Sequence, residues 1–325
     1  MNTKSQASIS SLPDDVLALI LSKTGKKARL RDVPLVCLAW RRIAEQLTTW
    51  ETIDLRSISY SADFEEGHLL CLMDHLVLFP ELQSLRIDCK DTAEELFVDW
   101  TGLTNLHKLE NLRIYIWGPG SGEVLPPEIY TLSALTQLAF CLAWVEGKPA
   151  LKVSQLRSLR SLRIEEDEDL HPDASLGVPE QLLLLAAVQA LVLKYVGGDL
   201  CIGQLTSLTS LHLNQCPLWR FPTSVSLLTQ LEVLHIDIIW PDKLRARPLL
   251  TLNSLQTLTV RCYDDSKVSR NIGDLQQLTS LRRVVFEDVG ELEAVSQERL
   301  AALQARFVQQ GRGGVIKLVI KRKSR

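Results

Sequence analysis

Aliphatic residues recur along this chain in the pattern Leu-x-x-Leu-x-Leu, with Ile, Val or Phe allowed at the apolar places. Nine copies begin at Leu82, Leu109, Leu135, Leu159, Val188, Leu208, Leu231, Leu255 and Leu281. Their central residues, from Leu85 to Val284, recur at intervals of roughly 20–30 residues. A period of that length is the mark of a solenoid, in which each unit buries its apolar side only against its neighbours. The ends of the chain follow a different rhythm. Leu12, Val16, Leu17, Ile20 and Leu21 sit at helical spacing, as do Leu30, Val33, Val36, Cys37, Trp40 and Ile43. Pro34 lies within the second set and divides it into short helices. Phe64 to Phe79 reads as one more helix, stopped by Pro80. Near the other end, Leu300, Leu303 and Phe307 predict a helix over Ala294 to Gln310, with Gly311 as its left-handed stop. A last strand is predicted over Val315 to Ile320.

The unit from Leu208 to Leu234 is the clearest. Leu208, Leu211 and Leu213 face inward from a short strand, and Cys216 stands where a side chain can satisfy backbone groups between coils. Phe221-Pro222 begins a return segment that Val225 and Leu228 close, and Leu125-Pro126-Pro127-Glu128-Ile129 repeats that return. These units resemble leucine-rich repeats. The resemblance implies an α/β solenoid of about ten coils, with parallel strands on a concave face.

Upstream, the string from Leu12 to Leu55 carries Leu12-Pro13, Val16-Leu17, Ile20-Leu21, Leu30, Val36-Cys37, Trp40-Arg41 and Trp50. This combination resembles an F-box. The expected organisation is a polar, disordered terminus (1–9), a helical module (10–50), a repeat array with a C-terminal cap (51–320) and a basic tail (321–325). The resemblance implies docking on a Skp-type adaptor, and through it on a cullin, by Leu12, Pro13, Val16, Leu17, Ile20, Leu21, Val36 and Trp40. It also implies that the repeats hold a target protein for ubiquitin transfer. A leucine-rich scaffold of a cytoskeletal or ciliary assembly, with the helical module as a mere cap, is the alternative.

Composition narrows the field. Apolar residues make up 46% of the 325, which suits a large core, and the net charge of −3 offers no global attraction to nucleic acid. The opening residues are polar with no apolar run behind them, and no stretch approaches a membrane span. Seven cysteines are scattered without C-x-x-C spacing, which fits reduced thiols in the cytoplasm or nucleus. G-x-S-x-G, H-E-x-x-H and phosphate-loop motifs are missing. The expectation is therefore a chain with no catalytic residues, metal or cofactor of its own.

Candidate chemistry lies on the exposed side of the strands, where side chains alternate with the buried leucines. One ladder runs Arg86, Arg113, Ala139, Arg163, Val192, His212, His235, Thr259, Val285. The next runs Asp88, Tyr115, Cys141, Glu165, Lys194, Asn214, Asp237, Arg261, Glu287. Arg86, Arg113 and Arg163 suit an acidic or phosphorylated segment, unless Asp88 and Glu165 neutralise them. His212 above His235, beside Asn214 and Asp237, reads as a polar patch of a protein-binding face or as a metal site. Trp117, Trp144, Trp219 and Trp240 follow strands and read equally as turn packing or partner anchors.

Overall fold

The computed structural model describes residues 52–55, 76, 81–89, 100–116, 125–142, 155–166, 184–196, 200–216, 222–238, 247–262, 270–287, 294–311 and 319–321. They form one eleven-stranded parallel sheet whose spatial order follows the chain order. The strands are β1 (Thr52–Leu55), β2 (Ser84–Cys89), β3 (Asn111–Ile116), β4 (Gln137–Leu142), β5 (Ser161–Glu166) and β6 (Ala190–Lys194). After these come β7 (Ser210–Asn214), β8 (Val233–Ile238), β9 (Thr257–Cys262), β10 (Arg283–Glu287) and β11 (Val319–Lys321). The expected leucine-rich solenoid is present, and β2 to β10 are its nine predicted strands.

The coils that lead into β3 to β10 are closed by the same two devices. The first is a turn in which the opening residue of the pattern donates its N–H to the carbonyl three residues earlier. That earlier residue is itself a buried leucine: Leu106, Leu132, Leu156, Leu185, Leu205, Leu228, Leu252 and Leu278. The repeat is thus one aliphatic place longer than the pattern read from the sequence. The second device is a shared carbonyl. Gln83 O accepts from both Glu110 N and Asn111 N, and the equivalent carbonyl of every following coil up to Gln256 does likewise at 2.8–3.0 Å. This doubled acceptor locks coil to coil and satisfies the backbone N–H groups at the strand entrance.

With the register pinned there, the central residues Leu85, Leu112, Leu138, Leu162, Leu191, Leu211, Leu234, Leu258 and Val284 stack as one row of the core. All nine are buried, within a single cluster running from Leu76 to Phe307. Return segments are short 3-10 turns, such as Pro127–Thr131 and Thr223–Leu227, each introduced by a proline in extended conformation. Coils this short leave little chain for longer helices on the return. Stacking of the returns is tight at Gly203, where an added Cβ would lie 2.8 Å from Leu227 Cδ1 and from the Ser224 carbonyl. The Ser224 hydroxyl donates across the same contact to Leu200 O at 2.6 Å.

Two turns after strands use left-handed backbone at residues that are not glycine, Tyr195 (φ 61°) and Gln215 (φ 51°). They return the chain to the core at Val196 and Cys216, both buried. Cys216 Sγ donates to Leu193 O and Asn214 O at 3.5 Å, as its position in the repeat predicts. The array ends with helix α1 (Ala294–Gln309), whose Leu300, Leu303 and Phe307 are buried. Gly311 (φ 72°) follows it as the expected stop. The closing strand, β11, pairs in parallel with β10. It is described over Val319–Lys321 against the expected Val315 to Ile320, so Lys321 belongs to the strand instead of the basic tail.

Candidate functional site

The face of the sheet opposite the leucine core carries three rows of side chains. The middle row is the first predicted ladder. Its strand register is Arg86, Arg113, Ala139, Arg163, Val192, His212, His235, Thr259, Val285 without a slip. The second ladder holds Tyr115, Cys141, Glu165, Lys194, Asn214, Asp237, Arg261 and Glu287; Asp88 takes its place by backbone register opposite Tyr115. A third row, not singled out from the sequence, lies two residues before the first. It reads Ser84, Asn111, Gln137, Ser161, Ala190, Ser210, Val233, Thr257, Arg283. The same alternation that placed the other two rows contains it.

Over β3 to β6 the ladders meet at Glu165, which is only 5% exposed. Its Oε1 accepts from Arg163 Nε at 2.6 Å, and its Oε2 lies 3.6 Å from Lys194 Nζ. Burial pushes this carboxyl up, but the Arg163 hydrogen bond and charge, the Lys194 charge and the Tyr115 hydroxyl outweigh it and hold it below the ordinary range. The Tyr115 hydroxyl is pushed up to about 12, first by burial and then by the Glu165 charge, so it remains a neutral donor. Tyr115 packs with Ala139 and Cys141 in a small buried cluster on this face. The Arg86 guanidinium sits 5.8 Å from the Tyr115 ring centre, and Lys194 Nζ sits 4.7 Å from that of Tyr195. Arg86 and Arg113 are direct cross-strand neighbours, whereas Ala139 separates Arg113 from Arg163. The three predicted arginines therefore stand as a pair and a single residue.

Over β7 to β10 the hub is Asp237, 1% exposed. Its Oδ1 is 2.8 Å from His235 Nε2, and its Oδ2 accepts the Gln215 N–H at 3.1 Å. In the coil before, the equivalent Tyr195 N–H goes to a backbone carbonyl, Asn214 O, so the Asp237 carboxylate takes the place of a carbonyl. Arg261 Nη1 lies 3.7 Å from Asp237 Oδ2, and Arg261 Nη2 donates to Glu287 Oε2 at 3.0 Å. His212 and His235 stack with ring centres 5.5 Å apart and planes 15° apart. Burial, then the nearness of His235 and of Arg163, lowers the His212 pKa against the opposing pull of Asp237. Among the described residues, no group of three or more His, Cys, Asp and Glu is placed to hold a metal ion.

The residues expected to meet the adaptor, Leu12, Pro13, Val16, Leu17, Ile20, Leu21, Val36 and Trp40, lie outside the described residues. So do Trp117, Trp144, Trp219 and Trp240, and so does the side chain of Asp88. Among the described residues no helix is long and apolar enough to cross a membrane.

Comparison with known proteins supports both parts of the chain. Residues 9–56 match the model of the F-box-like family. A search of curated proteins finds no significant match. Among solved structures, TLR13 in its complex with ssRNA13 aligns with a TM-score of 0.51 and 20% identity, over 76% of this chain and 34% of that one. A leucine-rich-repeat protein of Leptospira interrogans aligns with a TM-score of 0.40 and 19% identity, over 71% and 72% of the two chains. Internalin C2 of Listeria monocytogenes gives 0.37 and 17%, over 75% and 84%.

Proposed function

We propose, for a chain that joins an F-box-like segment to a leucine-rich-repeat solenoid, that it is a substrate receptor of a Skp–cullin–F-box ubiquitin ligase. The observation that carries this reading is the match of residues 9–56 to the F-box-like family, a segment that runs into β1, the first strand of the repeat sheet. In this role Leu12, Pro13, Val16, Leu17, Ile20 and Leu21 meet the Skp-type adaptor, with Val36 and Trp40 packing the module or extending the contact. The open face of the sheet holds the target. The core rows beneath it are aliphatic or Phe throughout, while its outward rungs change chemistry from coil to coil, which is what selective recognition needs.

The chain itself makes and breaks no bond. Tethering raises the target's effective concentration beside the enzyme that carries ubiquitin, and the rate gain is one of proximity. The setting for this role is the cytoplasm or the nucleus. Co-purification tests the reading. The full chain should capture a Skp-type adaptor, and Leu12→Asp and Ile20→Asp should each abolish capture, because a charge on the apolar docking surface is costly to desolvate. Unchanged capture by both variants would sink the ligase reading and favour a scaffold outside any ligase.

A further inference from the structure

The edge of the solenoid at which the strands begin carries a row of side chains of its own. Gln256 N–H donates to Glu232 O, and Arg282 N–H donates to Gln256 O, so Glu232, Gln256 and Arg282 stand one coil apart in that order. Opposite charges one coil apart on this edge pair directly, as Lys108 does with Glu81 at 2.6 Å. Glu232 and Arg282 are two coils apart with a neutral amide between them, and neither side chain has an ion-pair partner among the described residues. Arg160 holds the same place in an earlier coil. Its Nη1 turns back onto the carbonyls of Arg157 and Leu159, at 3.5 and 3.4 Å. Among the described residues the Arg282 guanidinium has no such carbonyl, and it stays exposed.

A polar groove of about 690 Å³ runs between these charges, lined also by Asn253, Ser254 and Ser280. Its exposed Glu232 and Arg282 mark the two ends, and Gln256, Ser254 and Ser280 are partly exposed between them. The lining bears on what fits. Small molecules are held by largely apolar pockets that bury most of their surface, whereas this groove offers amides, hydroxyls and charge. Such a surface suits an extended main chain, whose N–H and C=O groups need partners outside itself.

Spacing selects the conformation of that chain. Two strand steps of ~4.8 Å put Glu232 and Arg282 roughly 10 Å apart along the edge. A polyproline II helix has three residues per turn and a rise of about 3.1 Å, so residues three apart project from one side roughly 9 Å apart. A β-strand presents one side every ~7 Å, which falls short at two residues and overshoots at four.

We propose that this groove docks a polyproline II segment of another protein that carries a basic and an acidic side chain three residues apart. The base meets Glu232 and the acid meets Arg282. The main chain between them bonds to the Gln256 amide and to the Ser254 and Ser280 hydroxyls. This site lies apart from the open face and stands independently of the ligase reading.

Fluorescence anisotropy with the full chain tests this. The probes are labelled proline-rich peptides of equal length with one central motif each: Lys-Pro-Pro-Glu, Pro-Lys-Glu-Pro, Glu-Pro-Pro-Glu or Lys-Pro-Pro-Lys. Lys-Pro-Pro-Glu should bind about fivefold more tightly than Pro-Lys-Glu-Pro, which has the same charges at the wrong spacing, because two weak exposed ion pairs then act together. Glu232→Lys should transfer the preference to Glu-Pro-Pro-Glu, and Arg282→Glu should transfer it to Lys-Pro-Pro-Lys. Both positions are exposed, so neither change disturbs the core. Glu110→Lys, at the same place of an early coil, should leave the original preference intact.

An absence of peptide binding, equal affinity for the two spacings, or a preference unchanged in both variants overturns the proposal. Competition by 6-aminohexanoate at concentrations equal to the peptide overturns it in favour of a site for a small zwitterion. Adaptor capture should be the same for Glu232→Lys and Arg282→Glu as for the unaltered chain. Loss of capture in either variant overturns the assignment of these residues to a separate site.

Discussion

Two ion clusters on the same sheet solve opposite problems. At the early end, two cations, Arg163 and Lys194, share one carboxylate, Glu165. At the late end, two carboxylates, Asp237 and Glu287, share one cation, Arg261. The Glu165 partners keep 38% and 27% of their side chains exposed, so water screens whatever the carboxylate does not. Asp237 is more deeply committed, since its carboxylate also receives a backbone N–H where a carbonyl would otherwise serve. The first cluster is thus a surface with charge to spare, and the second is part of how one coil is fastened to the next.

The largest effects should be common to the two ends, because the core beneath them is the same. Leu112→Ala under the early end and Leu258→Ala under the late end should each cost ~2–5 kcal/mol in denaturant unfolding of the full chain. A large gap between them would mean that the two regions differ in packing and not only in charge. Next comes the contrast itself. Asp237→Ala should cost about 3 kcal/mol, since it strands the Gln215 N–H and uncouples Arg261 from one of its two carboxylates. Glu165→Ala should cost about 1 kcal/mol, since its cations turn to solvent. Reversed magnitudes would place the structural hub at the wrong end.

Titration sharpens the comparison. The His212 pKa is lowered by folding, so near neutral pH and below the unfolded chain binds more protons there, and stability falls as pH drops through the ordinary histidine range. Glu165 is also lowered, and it adds a loss of the same sign at more acidic pH, as its carboxyl is protonated. Tyr115 acts at the other limb. Its pKa of about 12 lies above the unfolded value of 10.0, so the stability it contributes is present below pH 10 and is lost as pH rises toward 12. Thermal melts of the full chain against Tyr115→Phe and His212→Asn across pH 5 to 11 would check both limbs. Tyr115→Phe should flatten the alkaline one and His212→Asn the mildly acidic one. The smallest effect is expected at Asn214→Ala, where a partly exposed rung between the two clusters should cost under ~0.5 kcal/mol.

The repeat could be read from the chain because it is local. Strand alternation and the recurrence of one short pattern identify the buried row and two of the three exposed rows without any knowledge of neighbours. Gly311 and Cys216 could be read for the same reason, each meeting a need of its own turn. What the tertiary structure alone decided is who shares with whom. Glu165 had Arg163 close by on its own strand, but whether it also reached Lys194, one coil further on, depended on coil length and register. The leucine three places ahead of each pattern, the Gly203 contact and the carboxylate of Asp237 standing in for a carbonyl are likewise properties of stacked coils. Periodicity specifies which side of a strand faces the core, because that follows from backbone geometry within one unit. Pairing across units follows from how consecutive coils come to rest on each other.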